Sequence, residues 1–109
     1  MDDYVPSEGE IIWLNFTPQS GHEQAGHRPA VVLSPAAYNR IGLLLCCPTT
    51  TKAKGYPFEV AISGKRSSVV LADQIKSVDW KSREAKLKGR VSDNELSEIR
   101  AKVRALVGS

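Results

Sequence analysis

Leu43-Leu44-Leu45-Cys46-Cys47, released by Gly42 and closed by Pro48-Thr49-Thr50-Thr51, is the longest unbroken apolar run of the chain. It is far shorter than the ~20 residues a membrane-spanning helix requires. Its length and its Gly and Pro flanks predict a strand buried on both faces. Adjacent strand residues point to opposite faces, so Cys46 and Cys47 are badly placed to bridge one another, and there is no other cysteine. Two thiols without C-x-x-C spacing also argue against a zinc site, which leaves them as small buried hydrophobes.

Working outward, Pro29 to Leu33 reads as a strand stopped by Ser34-Pro35, and Ile11 to Phe16 reads as a strand closed by Thr17-Pro18. Pro35 to Asn39 predicts a short helical turn with Ser34 as its N-cap. Downstream, Phe58 to Ile62 alternates as a strand does, and Ser63-Gly64-Lys65 reads as the turn after it. Ser68 to Ala72 and Ile75 to Val78 predict two more strands, meeting near Asp73-Gln74, with a short piece from Leu87 to Arg90. Ser92-Asp93-Asn94-Glu95 has the form of a capping box. Leu96, Ile99, Val103, Leu106 and Val107 follow at helical spacing, with Arg100, Lys102 and Arg104 expected mostly outside and Gly108 as the stop. The expected fold is mainly β with helices: a small, bent antiparallel sheet or partly open barrel with one long C-terminal helix.

At 109 residues the chain is expected to be a single domain spanning 1–109. Its composition, 41% hydrophobic and 25% charged, is that of a soluble globular protein. The acidic start Met1-Asp2-Asp3 is unlike a signal peptide, so a cytoplasmic protein without membrane contact is expected. The net charge of +3 is segregated. Lys76, Lys81, Arg83, Lys86, Lys88 and Arg90 face only Asp79 and Glu84, a balance that can form a surface for phosphates or simply a solvated face.

Three polar clusters fall at strand ends: Glu23 to Arg28, Thr49 to Lys54, and Asp73 to Lys76. Gly21-His22-Glu23-Gln24-Ala25-Gly26-His27-Arg28-Pro29 gathers an acid, an amide, imidazoles and a guanidinium where a structural loop needs only Gly and Pro. Arg offers a bidentate fork and Lys a point charge, so with the Thr hydroxyls these clusters make a phosphate-binding set. Gln74 suits reading a base edge, and Phe16 or Tyr56 suits stacking on an unpaired base. Trp13 and Trp80 read as packing residues.

Taken in order, Trp13-x-x-Phe16-x-Pro18, Gly21-x-Glu23-Gln24-x-Gly26-x-Arg28-Pro29-Ala30-Val31-Val32, Pro48-x-Thr50-Thr51, Gly55-Tyr56-Pro57-Phe58 and Asp73-Gln74-x-Lys76 resemble the MazF/PemK family of toxin endoribonucleases over nearly the whole chain. The resemblance implies an SH3-like, CcdB-like barrel that forms a homodimer, with Arg28 and Thr50 catalytic and Glu23 as the acidic residue of the first long loop. It further implies RNA contacts from Phe16, Thr17, Gln24, His27, Thr51, Lys54, Gln74 and Lys76. The implied activity is sequence-specific cleavage of single-stranded RNA to 2',3'-cyclic phosphate and 5'-hydroxyl ends, with no metal and no cofactor. The implied partner is a cognate antitoxin whose acidic, disordered C-terminal tail blocks the RNA groove.

The residues fit that chemistry with one gap. Arg28 and Thr50 suit holding a phosphate as charge grows on its oxygens. Arg does not normally lose a proton, so Arg28 as general base rests on family precedent alone; Glu23, as base or as orienter of Arg28, His27 and His22 stay open beside it, and the strand-neighbour relation of His27 to Arg28 points it to the opposite face. Two other functions fit such a barrel. A CcdB-type gyrase poison is expected to end in Trp-Gly-Ile, whereas this chain ends Leu106-Val107-Gly108-Ser109. A non-catalytic RNA-binding barrel would keep the basic and aromatic residues but tolerate loss of Arg28 or Thr50.

Overall fold

The computed structural model describes residues 4–16, 26–64 and 67–108. In chain order these form β1 (Glu10–Phe16), β2 (Gly26–Val32), α1 (Ala36–Asn39), β3 (Leu43–Thr50), β4 (Glu59–Ile62), β5 (Ser68–Leu71), a 3-10 turn (Ala72–Gln74), β6 (Lys76–Asp79), β7 (Lys86–Arg90) and α2 (Asp93–Val107). The strands make one antiparallel sheet in the order β4-β5-β3-β2-β1-β7, with β6 also paired to β3; β4 and β7 lie at opposite ends, so the sheet is bent but not closed.

β3 is the hub. Leu43 to Cys46 pair with β6, Cys46 to Pro48 with β2, and Thr49 and Thr50 with β5. The strand therefore continues through Pro48 instead of ending there. A proline's missing N–H is tolerated where the ladder passes from one neighbour to the next. Alternation along β3 separates two cores. Leu44 and Cys46 pack with Ile12, Leu14, Phe16, Ala30, Val32, Val78 and Trp80. Cys47 packs with Val31, Leu33, Val60, Val70, Val91, Leu96 and Ile99. The two thiols thus sit in different cores, and burial pushes each up to about 12. Burial on both faces holds only from Cys46 to Thr49; Leu43 and Leu45 are 40% and 38% exposed, because the second core begins only at Cys47.

β2 begins three residues earlier than Pro29. Antiparallel pairing with β1, from Ile11 opposite Val31 to Phe16 opposite Gly26, carries His27 and Arg28 into the strand against their weak local preference. Near α1 the expected Ser34 cap is absent, and Pro35 takes the N-cap position without a side-chain bond. Ser34 instead serves a buried polar knot. Its hydroxyl donates to Asn39 Oδ1 (2.6 Å) and accepts from the Leu45 N–H (2.9 Å). Asn39 Nδ2 donates to the carbonyls of Pro6 and Ser34, while Trp80 Nε1 donates to the Asn39 carbonyl (2.8 Å).

α2 starts with the expected capping box: the Glu95 N–H donates to Ser92 Oγ, and the Ser92 N–H donates to Glu95 Oε1. The N–H groups of Ser92 and Ser63, each donating to its carboxylate at 2.8 Å, hold the Glu95 carboxyl below its ordinary value. Leu96 and Ile99 are buried, but Leu106 and Val107 extend past the second core at 55% and 69% exposure. Arg100 turns inward rather than outward, donating to Glu8 Oε2 (2.7 Å) and to the Leu33 carbonyl (3.0 Å), and Lys102 donates to the Pro57 carbonyl.

Candidate functional site

The β1–β2 register sets Arg28 opposite Leu14, so its half-buried side chain shares the face of Leu14 and Phe16. Thr50 follows Cys46 and Pro48 by alternation and lies on that same face of β3. The β2–β3 ladder ends at Ala30 opposite Pro48; carried two residues further, its register sets Arg28 and Thr50 across from each other. Thr49 ties the two strands at this point, its hydroxyl donating to the Pro29 carbonyl (3.2 Å). Thr50 Oγ1 accepts from the Lys52 N–H (3.1 Å), which leaves the hydroxyl proton available to a ligand.

Thr51, Lys52 and Lys54 are exposed in the loop after β3. Glu59 shapes that loop, accepting from the N–H groups of Lys54 (3.0 Å) and Gly55 (3.0 Å), where Gly55 takes a positive φ of 80° that favours glycine. Glu59 carried no sequence signal beyond its place at a strand start. Tyr56, half exposed, stacks on Phe58 with centroids 5.2 Å apart.

The other wall comes from the 3-10 turn and β6. Lys76 sits opposite Cys46, on the Arg28 face, with Nζ 5.3 Å from the Phe16 ring centre. Phe16 is only 1% exposed, so it forms a floor beneath the lysine and not an open stacking platform. Phe16, Asp73, Gln74, Lys76 and Arg83 line a cavity of about 460 Å³. Burial pushes the Asp73 carboxyl above its ordinary value. Arg83 is held there by the end of β1: its Nη1 donates to the Asn15 carbonyl (2.9 Å). The sequence placed Arg83 within a basic run but not in a site, because its partner lies 68 positions away.

His27 is not brought together with Arg28. It pairs with Asn15, faces the opposite side of the sheet and stacks on Trp13, centroids 5.4 Å apart and planes 11° from parallel. Trp80 is a core residue, as expected. Thr17, Glu23 and Gln24 lie outside the described residues. Among the described residues no three His, Cys, Asp or Glu side chains are grouped so as to hold a metal ion, and no helix is long and apolar enough to cross a membrane.

A bent open sheet with a C-terminal helix, bearing Arg28, Lys76 and Arg83 with Thr50 on one face, is the frame of a small protein that handles phosphate-bearing chains. Residues 7–107 match the model of the PemK-like, MazF-like toxin of type II toxin-antitoxin systems, and the chain belongs to that family. It is 56% identical over 107 residues to the endoribonuclease toxin MazF of Escherichia coli strain K12, covering 96% of each chain. It is 37% identical to the endoribonuclease toxin ChpB of the same strain, over 91% of each chain. Among solved structures, MazF from Deinococcus radiodurans superposes with a TM-score of 0.93 at 54% identity, covering 98% of this chain and all of that one. A MazE-MazF structure from the same organism gives 0.86 at 54% identity, covering 97% and 98%.

Proposed function

We propose that this RNA-cleaving toxin works at Arg28 and Thr50 without a metal, on single-stranded RNA. The observation that carries the reading is the shared face of these two residues at the ends of adjacent strands, beside Lys76 and Arg83. The RNA 2'-oxygen forms a bond to the neighbouring phosphorus, its proton passing to a base, while the bond from phosphorus to the 5'-oxygen breaks and that oxygen takes up a proton. The products are a 2',3'-cyclic phosphate and a 5'-hydroxyl. The Arg28 fork binds the non-bridging oxygens and favours the more charged transition state, and the Thr50 hydroxyl donates to the same phosphate. With His27 on the opposite face, Glu23 is the residue we assign as base or as orienter of Arg28. Gln74, Thr51, Lys54 and Lys76, with Thr17 and Gln24, serve base and backbone contacts on either side.

The partner is a cognate antitoxin. Its acidic tail suits the same positive face, so that inhibitor and RNA compete for one set of charges. The toxin acts as a homodimer in the cytoplasm. Tyr38, Ile41, Leu43 and Leu45 are exposed together, from α1 to the first half of β3, and offer an apolar contact surface for a second copy.

The test is cleavage of a long, weakly structured RNA in excess chelator, wild type beside Arg28→Ala, with ends mapped by sequencing. Discrete cuts by wild type alone, leaving cyclic phosphate ends, are expected. Activity that disappears with chelator and returns with a divalent ion would overturn the metal-free course; full activity of Arg28→Ala would remove that residue from it.

A further inference from the structure

We propose that Trp13, His27 and Lys88 form a stacking subsite for one unpaired nucleotide of the RNA, on the sheet face opposite Arg28 and Thr50. Three independent features build it. Trp13 on β1 and His27 on β2 lie nearly parallel, and the outer imidazole is exposed, so a base laid on it would become the next layer of the stack. The β1–β7 register shifts between Ile11, opposite Gly89, and Ile12, opposite Leu87, which leaves Lys88 as a bulged residue. Bulges re-aim side chains, and this one sets Lys88 Nζ 5.6 Å from the Trp13 ring centre. Lys86, opposite Trp13 in the register, puts a second ammonium on the same face.

A plain packing pair would cover apolar surface, yet His27 is exposed and two lysines border the stack. Aromatic rings flanked by ammonium groups match the alternation of base and phosphate in a single strand. Continuity with the cleavage site comes from β2 itself: His27 and Arg28 are consecutive residues near the start of that strand. The subsite rests on the ribonuclease reading above and extends the RNA footprint beyond the scissile step.

The test uses RNA made non-cleavable by a 2'-deoxy group at the scissile nucleotide, intact or with single abasic positions on either side. Wild type is expected to bind the intact strand about five- to a hundred-fold more tightly than one particular abasic strand, as the loss of one stacked base implies. His27→Ala should bind the two alike, and His27→Phe, which keeps a ring, should restore the difference. Intact RNA should quench wild-type tryptophan fluorescence and leave Trp13→Phe, whose remaining tryptophan is the buried Trp80, unquenched. Equal binding of all abasic strands by wild type would overturn the proposal, as would an unchanged discrimination in His27→Ala. Quenching by an acidic peptide but not by RNA would overturn it in favour of a protein ligand. Failure of the ribonuclease reading shows separately, as wild type leaving the all-ribose strand uncut.

Discussion

Arg28 and His27 are neighbours in sequence and point to opposite faces of one sheet, Arg28 across from Leu14 and His27 across from Asn15. The separation assigns them different work: the guanidinium belongs to the Thr50 and Lys76 face, and the imidazole belongs to the Trp13 stack. It also sets the imidazole apart from the proposed cleavage site.

Arg28→Ala should lower the cleavage rate by at least about 10²- to 10³-fold, the scale of losing one well-placed donor to a developing anion. Its thermal midpoint should stay within a few degrees of wild type, because Arg28 is only half-buried. Arg28→Lys should recover little, since a point charge lacks the bidentate fork. Single-turnover cleavage beside thermal melts checks both; a Lys variant at wild-type rate would refute the bidentate role.

Leu45→Glu should turn the proposed dimer into a folded monomer. The side chain is 38% exposed, so a charge there is solvated in the monomer but buried unpaired in a dimer using this face. Sedimentation at micromolar concentration gives the answer, and an undiminished mass would move the interface elsewhere.

Asn39→Ala should destabilise the fold by about 3 kcal/mol. It removes donors to the Pro6 and Ser34 carbonyls and the acceptor of the Ser34 hydroxyl, all in a fully buried place. Urea unfolding should show a lower midpoint at similar slope. An unshifted midpoint would mean that the knot contributes nothing net.

Glu95 links stability to acidity. Its folded-state value lies below the unfolded one, so its charge stabilises the fold above the unfolded value, roughly pH 4.3, and that contribution is lost as the pH falls through the folded value. Ser92→Ala should cost about 1 kcal/mol at pH 7. Glu95→Gln, which does not titrate, should be less stable than wild type at pH 7, with the gap narrowing towards pH 3. A gap that stays constant with pH would place the effect outside this carboxyl.

Much of the fold was legible because its signals are local. The capping box at Ser92 and Glu95 needs only four consecutive residues, and it formed as read. The split of Cys46 and Cys47 between two cores follows from strand alternation alone. Boundaries were less legible where a distant partner decided them. β2 reaches back to Gly26 because β1 offers a ladder, and Pro48 stays within β3 because two other strands take over on either side. Ser34 reads as a helix cap, yet Asn39 and the Leu45 N–H compete for its hydroxyl and win.

The sequence by itself determined the kinds of element, the pairing of adjacent side chains with opposite faces, and the residue types from which a phosphate site can be built, since each depends on neighbours within a few positions. Only the tertiary structure decided which of those residues share a face. It set Arg28 with Thr50 and Lys76, took His27 away to Trp13, covered Phe16 with Lys76, and fixed Arg83 to the end of β1. Those outcomes depend on register and on where the sheet bends, and both are set by contacts between segments far apart in the chain.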